Sequence, residues 1–362
     1  MKKYLPYLAA LFLLYLYLPA CAVLPSIDKA TLNQSNMAEK ISKSLDAGRN
    51  NILGQQDILN NRLFKAVRNN DVKEAKAALK DGANINARLK PGILPDSYKD
   101  MTPLCLAAYD KNAKMVRFLI DGGADPNAFD FIGFTPLVYA VYGYNKPVDI
   151  SIVKALLLAK ADPNAPTPYH YTPLMKAAEQ DLPAVMEMLI SFGADVNAKS
   201  KIGFTPIDLA ADSRQANNIG ILLRHGSKLP EMEVLKAFAL ETAVTAVEKD
   251  TRPDNKEITL MLLKKGVDPN IDFYDGSNAL LSAVLLNRFS MVSFLLENGA
   301  DVNKADNFGF TPLMAAALQG NTDIINLLLE YGADKNKKDS EGKTALDYAI
   351  ESKNRNSAAI LK

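Results

Sequence analysis

The sequence predicts an all-α solenoid built from repeated helix pairs. Two strings, and the distance between them, carry that prediction. Thr-Pro-Leu occurs at 102, 135, 172 and 311, with Thr205-Pro206-Ile207 and Thr344-Ala345-Leu346 as variants. Gly-Ala-Asp-x-Asn begins at Gly123, Gly193, Gly299 and Gly332, with looser copies at Gly82, Lys160, Gly226 and Gly266. The step from the Gly frame to the next Thr frame is the same seven times in succession, at 123→135, 160→172, 193→205, 226→238, 266→278, 299→311 and 332→344. An Ala stands five residues after each Thr-frame position, from Ala107 to Ala349. The Gly frame itself recurs at one interval wherever no insertion intervenes, as in 160→193→226 and 266→299→332. A fixed phase of this kind marks stacked copies of one supersecondary unit.

The unit at 307–336 shows why each copy is a helix pair. Gly309 suits a turn that needs positive φ. Thr311 is placed to cap a helix, and Pro312 falls in its first turn, where a missing N–H costs little. Leu313, Ala316 and Ala317 face the stack and are small enough for helices to approach closely. Gly320 ends the first helix. Ile324, Ile325, Leu328 and Leu329 give the second helix an apolar face. Gly332 closes it as a left-handed cap. Asp334 and Asn336 are expected to bond the following turn through their side chains. No unit can bury both helices alone, so stability is a sum of unit and neighbour terms.

These strings resemble the ankyrin-repeat family over about 60–362, in nine repeats starting near 57, 98, 131, 168, 201, 234, 274, 307 and 340. The His that commonly follows Thr-Pro-Leu in that family is replaced by Cys105, Val138, Met175, Asp208, Leu281, Met314 and Asp347, so its loop hydrogen bond must be replaced or lost. The repeat near 234–266 is degenerate, with Phe238-Ala239-Leu240 at the Thr-Pro-Leu site, and is expected to be the weak joint. The first and last repeats read as end caps. Three insertions break the period: Leu89–Asp96 in the first finger, Gly143–Pro147 between two helices, and Lys249–Lys256 in the degenerate repeat. Insertions in such arrays map to loops, often on a binding face.

The N-terminal segment has a different logic. Lys2 and Lys3 precede a run from Tyr4 to Ala20 without a charge, and Leu18-Pro19-Ala20-Cys21 follows. This resembles the lipobox of bacterial lipoproteins, with Pro19 a departure at the −2 position. The resemblance implies cleavage before Cys21 and acylation of that residue. It also implies a domain order of signal peptide 1–20, acylated Cys, polar tether and possible leading helix 21–58, and repeats 59–362. Ala22 at +2, by the same resemblance, favours the outer membrane with the chain facing the periplasm. Ala20-Cys21-Ala22 also fits ordinary cleavage to a soluble periplasmic protein, and an uncleaved anchor is a third possibility.

Composition narrows function. The chain has 362 residues, 48% apolar and 23% charged, a globular balance. Its 42 Lys plus Arg against 41 Asp plus Glu lack the basic surplus of a nucleic-acid binder. Two Cys and two His leave little for metal or triad chemistry. His170 sits at a turn-Gly position and His225 one residue before a cap Gly, both structural placements. Cys105 lies among Leu104, Leu106 and Ala107 and reads as a buried thiol. Gly342-Lys343-Thr344 lacks the first glycine of a phosphate loop. No enzyme, cofactor, metal or small-molecule substrate is expected.

A row of large side chains precedes the Thr frame. Phe134, Tyr171, Phe204 and Phe310 stand just before it, and Ile132, Tyr169, Ile202 and Phe308 stand two residues earlier. Phe131, Phe273 and Tyr274 extend the row, and Tyr109 and Tyr142 continue it on first helices. The resemblance puts these on the fingers and concave edge, where aromatics make binding anchors; sideways packing between fingers is the alternative. The expected function is non-enzymatic capture of a protein partner from a lipid anchor in the bacterial envelope. Immunity against a secreted toxin such as a phospholipase, and an envelope or stress-protection scaffold, are the alternatives.

Overall fold

The computed structural model describes residues 54–90, 100–142, 147–245 and 255–362. Cys21, the signal-type segment, the tether and most of the three insertions lie outside them. The chain divides into two compact units, Met1–Ala161 and Asp162–Lys362. Among the described residues these hold 18 α-helices and no strand. The architecture is the all-α helix-pair repeat that the sequence predicts.

The first unit stacks three pairs: α1 (Gln55–Arg68) with α2 (Val72–Lys80), α3 (Pro103–Tyr109) with α4 (Ala113–Asp121), and α5 (Pro136–Val141) with α6 (Ile150–Leu158). The second stacks six: α7 (Pro173–Glu179) and α8 (Pro183–Ser191), α9 (Pro206–Asp212) and α10 (Ala216–Arg224), α11 (Glu233–Thr245) and α12 (Asn255–Lys264), α13 (Ala279–Leu285) and α14 (Phe289–Glu297), α15 (Pro312–Gln319) and α16 (Thr322–Glu330), α17 (Ala345–Glu351) and α18 (Arg355–Leu361). The possible leading helix before residue 59 lies outside the described residues except for 54–58, of which 55–58 belong to α1.

A Thr stands at the start of most first helices. Thr102, Thr135 and Thr311 accept the N–H three residues on at 3.2, 3.3 and 3.3 Å, and Asn278 substitutes its Oδ1 at 3.0 Å to Leu281. Small residues then bury completely, as Ala107, Ala140, Ala177, Ala210 and Ala283 do. Between the helices the chain passes through left-handed backbone at Lys111, Asp181, Arg214, Asn287, Gly320 and Lys353. Only one of these is glycine. Lys111 offsets its strain by donating its ammonium to the carbonyl oxygens of Tyr139, Ala140 and Tyr142 at 2.6, 2.8 and 2.9 Å, which closes α5. Burial lowers the pKa of that ammonium to about 8.

Of the Asp and Asn of the Gly-frame string, the Asp acts as expected and the Asn does not. Asp334 does serve its own turn, accepting from the Asn336 N–H at 2.9 Å. The Asn at that register instead crosses to the next repeat. Asn164, Asn270 and Asn303 donate to the carbonyls of Gly193, Gly299 and Gly332 at 2.9, 3.2 and 3.1 Å. Their Oδ1 atoms accept from Asp195, Asp301 and Asp334 at 2.8, 2.7 and 2.8 Å.

Two insertion boundaries shift. Leu89 is not inserted: its N–H donates to the Met101 carbonyl at 2.9 Å, its own carbonyl accepts from Asp100 at 3.0 Å, and both Leu89 and Met101 are buried. Asn255 and Lys256 belong to α12. In the same repeat α11 has 13 residues, where the other first helices of its unit have seven or eight. It occupies the place of a finger because Glu233 and Lys236, both good helix formers, stand where other repeats carry a turn-capping residue and a glycine. Its neighbours grip it. The Arg214 guanidinium lies 4.0 Å from the Phe238 ring centroid and pairs with Glu241, and Arg288 donates to the Val244 and Thr245 carbonyls at 2.9 and 3.2 Å.

Candidate protein-docking surface on the hairpin fingers

Each finger is a short loop closed at its base by two backbone hydrogen bonds. In the finger that opens at Asp130, the Asp130 N–H donates to the Phe134 carbonyl at 3.1 Å and the Gly133 N–H to the Asp130 carbonyl at 3.0 Å. The first bond recurs as Thr167 to Tyr171 at 3.1 Å, Ser200 to Phe204 at 2.8 Å and Asp306 to Phe310 at 3.1 Å. Gly133, His170, Gly203 and Gly309 hold the left-handed position, His170 at φ +55°. The residue that opens the finger also binds it with its side chain. Asp130 Oδ1 accepts from Ile132 and Phe134 at 3.0 and 2.9 Å, and Asp306 Oδ1 from Phe308 and Phe310 at 2.8 and 2.9 Å. Thr167 and Ser200 use hydroxyls for the Tyr171 and Phe204 N–H groups.

This geometry divides the aromatic row. The residue just before the Thr frame has returned to the finger base, so Phe134, Tyr171 and Phe204 are buried beneath the loop. Phe273, which opens its finger and donates its N–H to the Ser277 carbonyl, is 3% exposed. Tyr142 is buried as well, its ring 5.4 Å from that of Phe134, which in turn lies 5.4 Å from Tyr139. These five are therefore packing residues and not presented anchors. Tyr109 is half-buried, edge-on to Tyr139 at 5.6 Å. Phe310 is half-buried against Tyr348 at 5.1 Å, and Ile132 is half-buried. The Tyr139 hydroxyl donates to Asp130, whose carboxyl pKa burial nonetheless pushes upward.

The tips remain. Phe131, Tyr169, Ile202, Tyr274 and Phe308 are exposed, Tyr274 at 80% and Phe308 at 68%. Neighbouring fingers are joined behind them: Lys201 donates its N–H to the Tyr169 carbonyl at 3.0 Å, and Ser340 to the Phe308 carbonyl at 2.8 Å. Phe129 is also exposed, next to the finger that carries Phe131, and was not among the sequence candidates. Arg88 fixes it, donating to its carbonyl at 2.7 Å with the guanidinium 5.4 Å from the ring. Its position one residue before Asp130 was the available signal.

The site of the missing His has several replacements. The Cys105 thiol lies 3.5 and 3.8 Å from the carbonyls of Ala128 and Phe134 in the next finger. Full burial pushes that thiol up to about 12, so it is an inert donor. Asp208 and Asp347 accept from the N–H groups of Thr205 and Thr344 at 2.7 and 2.8 Å, and Met175 and Met314 offer sulfur at 3.4 Å. His225 Nε2 lies 2.8 Å from Glu187. Among the described residues no cluster of three His, Cys, Asp or Glu could hold a metal, and no helix is long and apolar enough to cross a membrane.

Family models agree with this geometry. A three-copy model of ankyrin repeats matches 63–150 and 144–232, a single-repeat model matches 275–307, and a many-copy model matches 295–349. The chain is 38% identical over 117 residues to alpha-latrocrustotoxin-Lt1a of Latrodectus tredecimguttatus, covering 32% of this chain and 8% of that one. It is 44% identical over 160 residues to mitochondrial disaggregase of Bos taurus, covering 41% and 21%. It is 32% identical over 126 residues to palmitoyltransferase AKR1 of Lachancea kluyveri, covering 35% and 17%. The chain thus spans well under a third of the length of these relatives.

Proposed function

Because the chain belongs to the ankyrin-repeat family, whose repeats are protein–protein interaction modules, we propose that it captures a folded protein partner on its finger tips from a lipid anchor in the bacterial envelope. The observation that carries the docking half is the recurrence of an exposed large side chain at the finger tip, Tyr169, Ile202 and Phe308 each three residues before the Thr frame. A loop fixed by backbone closure has less conformational entropy to lose on binding, and aromatic side chains on it make good anchors. Leu18-Pro19-Ala20-Cys21 supports the anchored half, with Cys21 as the acylated residue, and Ala22 supports an outer-membrane lipoprotein facing the periplasm. The reading needs no catalytic group: Cys105 is buried, His170 shapes a turn and His225 faces Glu187.

Crosslinking from intact cells tests it. The baits are the full-length protein and a Tyr169→Ala, Tyr274→Ala, Phe308→Ala variant. One dominant partner, lost in the variant, is the expected result. A secreted lipase as that partner makes the chain an immunity protein. Equal recovery by both baits would sink the finger-tip assignment.

A further inference from the structure

The outer helices of the first unit carry a register of cations that protein docking does not use. Counted back from the left-handed cap position, six residues before Gly82, Gly123 and Lys160 stand Lys76, Arg117 and Lys154. Nine residues before the first two caps stand Lys73 and Lys114. These positions lie three apart, on one face of α2, α4 and α6. All five side chains are exposed, and none is ion-paired to a described residue. The nearest acid on α2, Glu74, is occupied by Arg62. In the second unit the first of these positions reads Glu187, Gly220, Leu260, Ser293 and Asn326. The chain as a whole is nearly neutral, so the row is a local concentration and not a share of a general surplus.

We infer that the outer face of α2, α4 and α6 binds the anionic headgroups of a phospholipid bilayer. Exposed Ile150 and Leu158 sit on α6 beside Lys154. Cations interspersed with exposed aliphatic groups match the headgroup–acyl boundary, whereas a nucleic-acid backbone has no use for Leu158. The face also belongs to the unit that follows the N-terminal segment in the sequence. That orientation rests on the anchored reading, while the charge register does not.

The test uses full-length protein, wild type and a Lys76→Gln, Arg117→Gln, Lys154→Gln variant. Both are titrated with vesicles of phosphatidylcholine alone, or of phosphatidylcholine with phosphatidylglycerol as the minority lipid. Capture by phosphatidylcholine is the anchor's share and is expected to be equal in both proteins. Phosphatidylglycerol is expected to tighten wild-type binding, and the variant to lose about fivefold per residue, or about a hundredfold in all, an effect that falls with salt. Slowed amide exchange over α2, α4 and α6 on anionic vesicles alone is a second readout, independent of how firmly the N-terminus holds. Capture by anionic vesicles only would refute the anchor and leave the face standing. Equal binding of wild type to both vesicles with unchanged exchange, or an anionic preference that survives in the variant, overturns the face. Tighter capture by duplex DNA at the same salt overturns it in favour of nucleic acid.

Discussion

Asn303 donates its side-chain amide to the carbonyl of Gly332, 29 residues along the chain, at 3.1 Å. Its oxygen accepts from the Asp334 N–H at 2.8 Å, so one side chain satisfies two backbone groups of the following repeat. Asn303→Ala should cost about 1–2 kcal/mol. The loss should be local, read as faster amide exchange in α15 to α18 with little change in the first unit, because a stacked array couples only neighbours. Uniformly faster exchange throughout the chain would contradict a neighbour-limited role.

Phe131 and Phe134, three residues apart on one finger, should respond very unequally to the same change. Phe134→Ala removes a buried ring packed on Tyr139 and Tyr142 and should destabilise by about 3–4 kcal/mol. Phe131→Ala should leave the thermal midpoint almost unchanged. Equal losses in a melting experiment would mean that the tip ring is also part of the core.

Asp208 carries a pH signature. Its Oδ2 accepts from Thr205, but its Oδ1 is buried without a hydrogen-bond partner among the described residues. Burial raises its pKa above the ordinary carboxylate value. A raised folded-state value means the penalty is full at neutral pH and is relieved as pH falls through that value towards the unfolded one near 4. Asp208→Asn should therefore be more stable than wild type at pH 7 by about 1 kcal/mol. That advantage should shrink in melts taken towards pH 4; a constant difference would place the ionisation elsewhere.

Cys105 should resist alkylation. With the thiol fully buried and pushed up to about 12, iodoacetamide at pH 8 should leave it unlabelled in native protein and label it in urea. Peptide mass spectrometry separates it from Cys21. Rapid native labelling would show that the second repeat opens.

The repeat period, the capped first helices and the burial of their alanines were readable from the sequence because each is a local relation within one repeat or between a repeat and the next copy. The fate of the aromatic row was readable only through turn chemistry. A left-handed Gly133 folds the chain back, which sends Phe134 inward and leaves Phe131 at the tip. Pattern alone treated the two alike. The Asn side chains were misassigned because their partners lie a whole repeat away, and no local pattern distinguishes a bond to the next turn from one to the next repeat. The extension of α11 had a visible cause in Glu233 and Lys236, which lack any preference for a turn.

The Asn bonds of the second unit are interchangeable between repeats. Asn270 meets Gly299 as Asn303 meets Gly332, with the same atoms and the same register. Excision of the stretch between the two registers would bring Asn270 opposite Gly332 and recreate the lost bond. Duplication of the same stretch would insert one more identical bond. Either event keeps this bond at the junction while the packed side chains there change, since excision would remove Arg288 from α11; the Asn bond is the part of the stack that recombination between copies leaves intact.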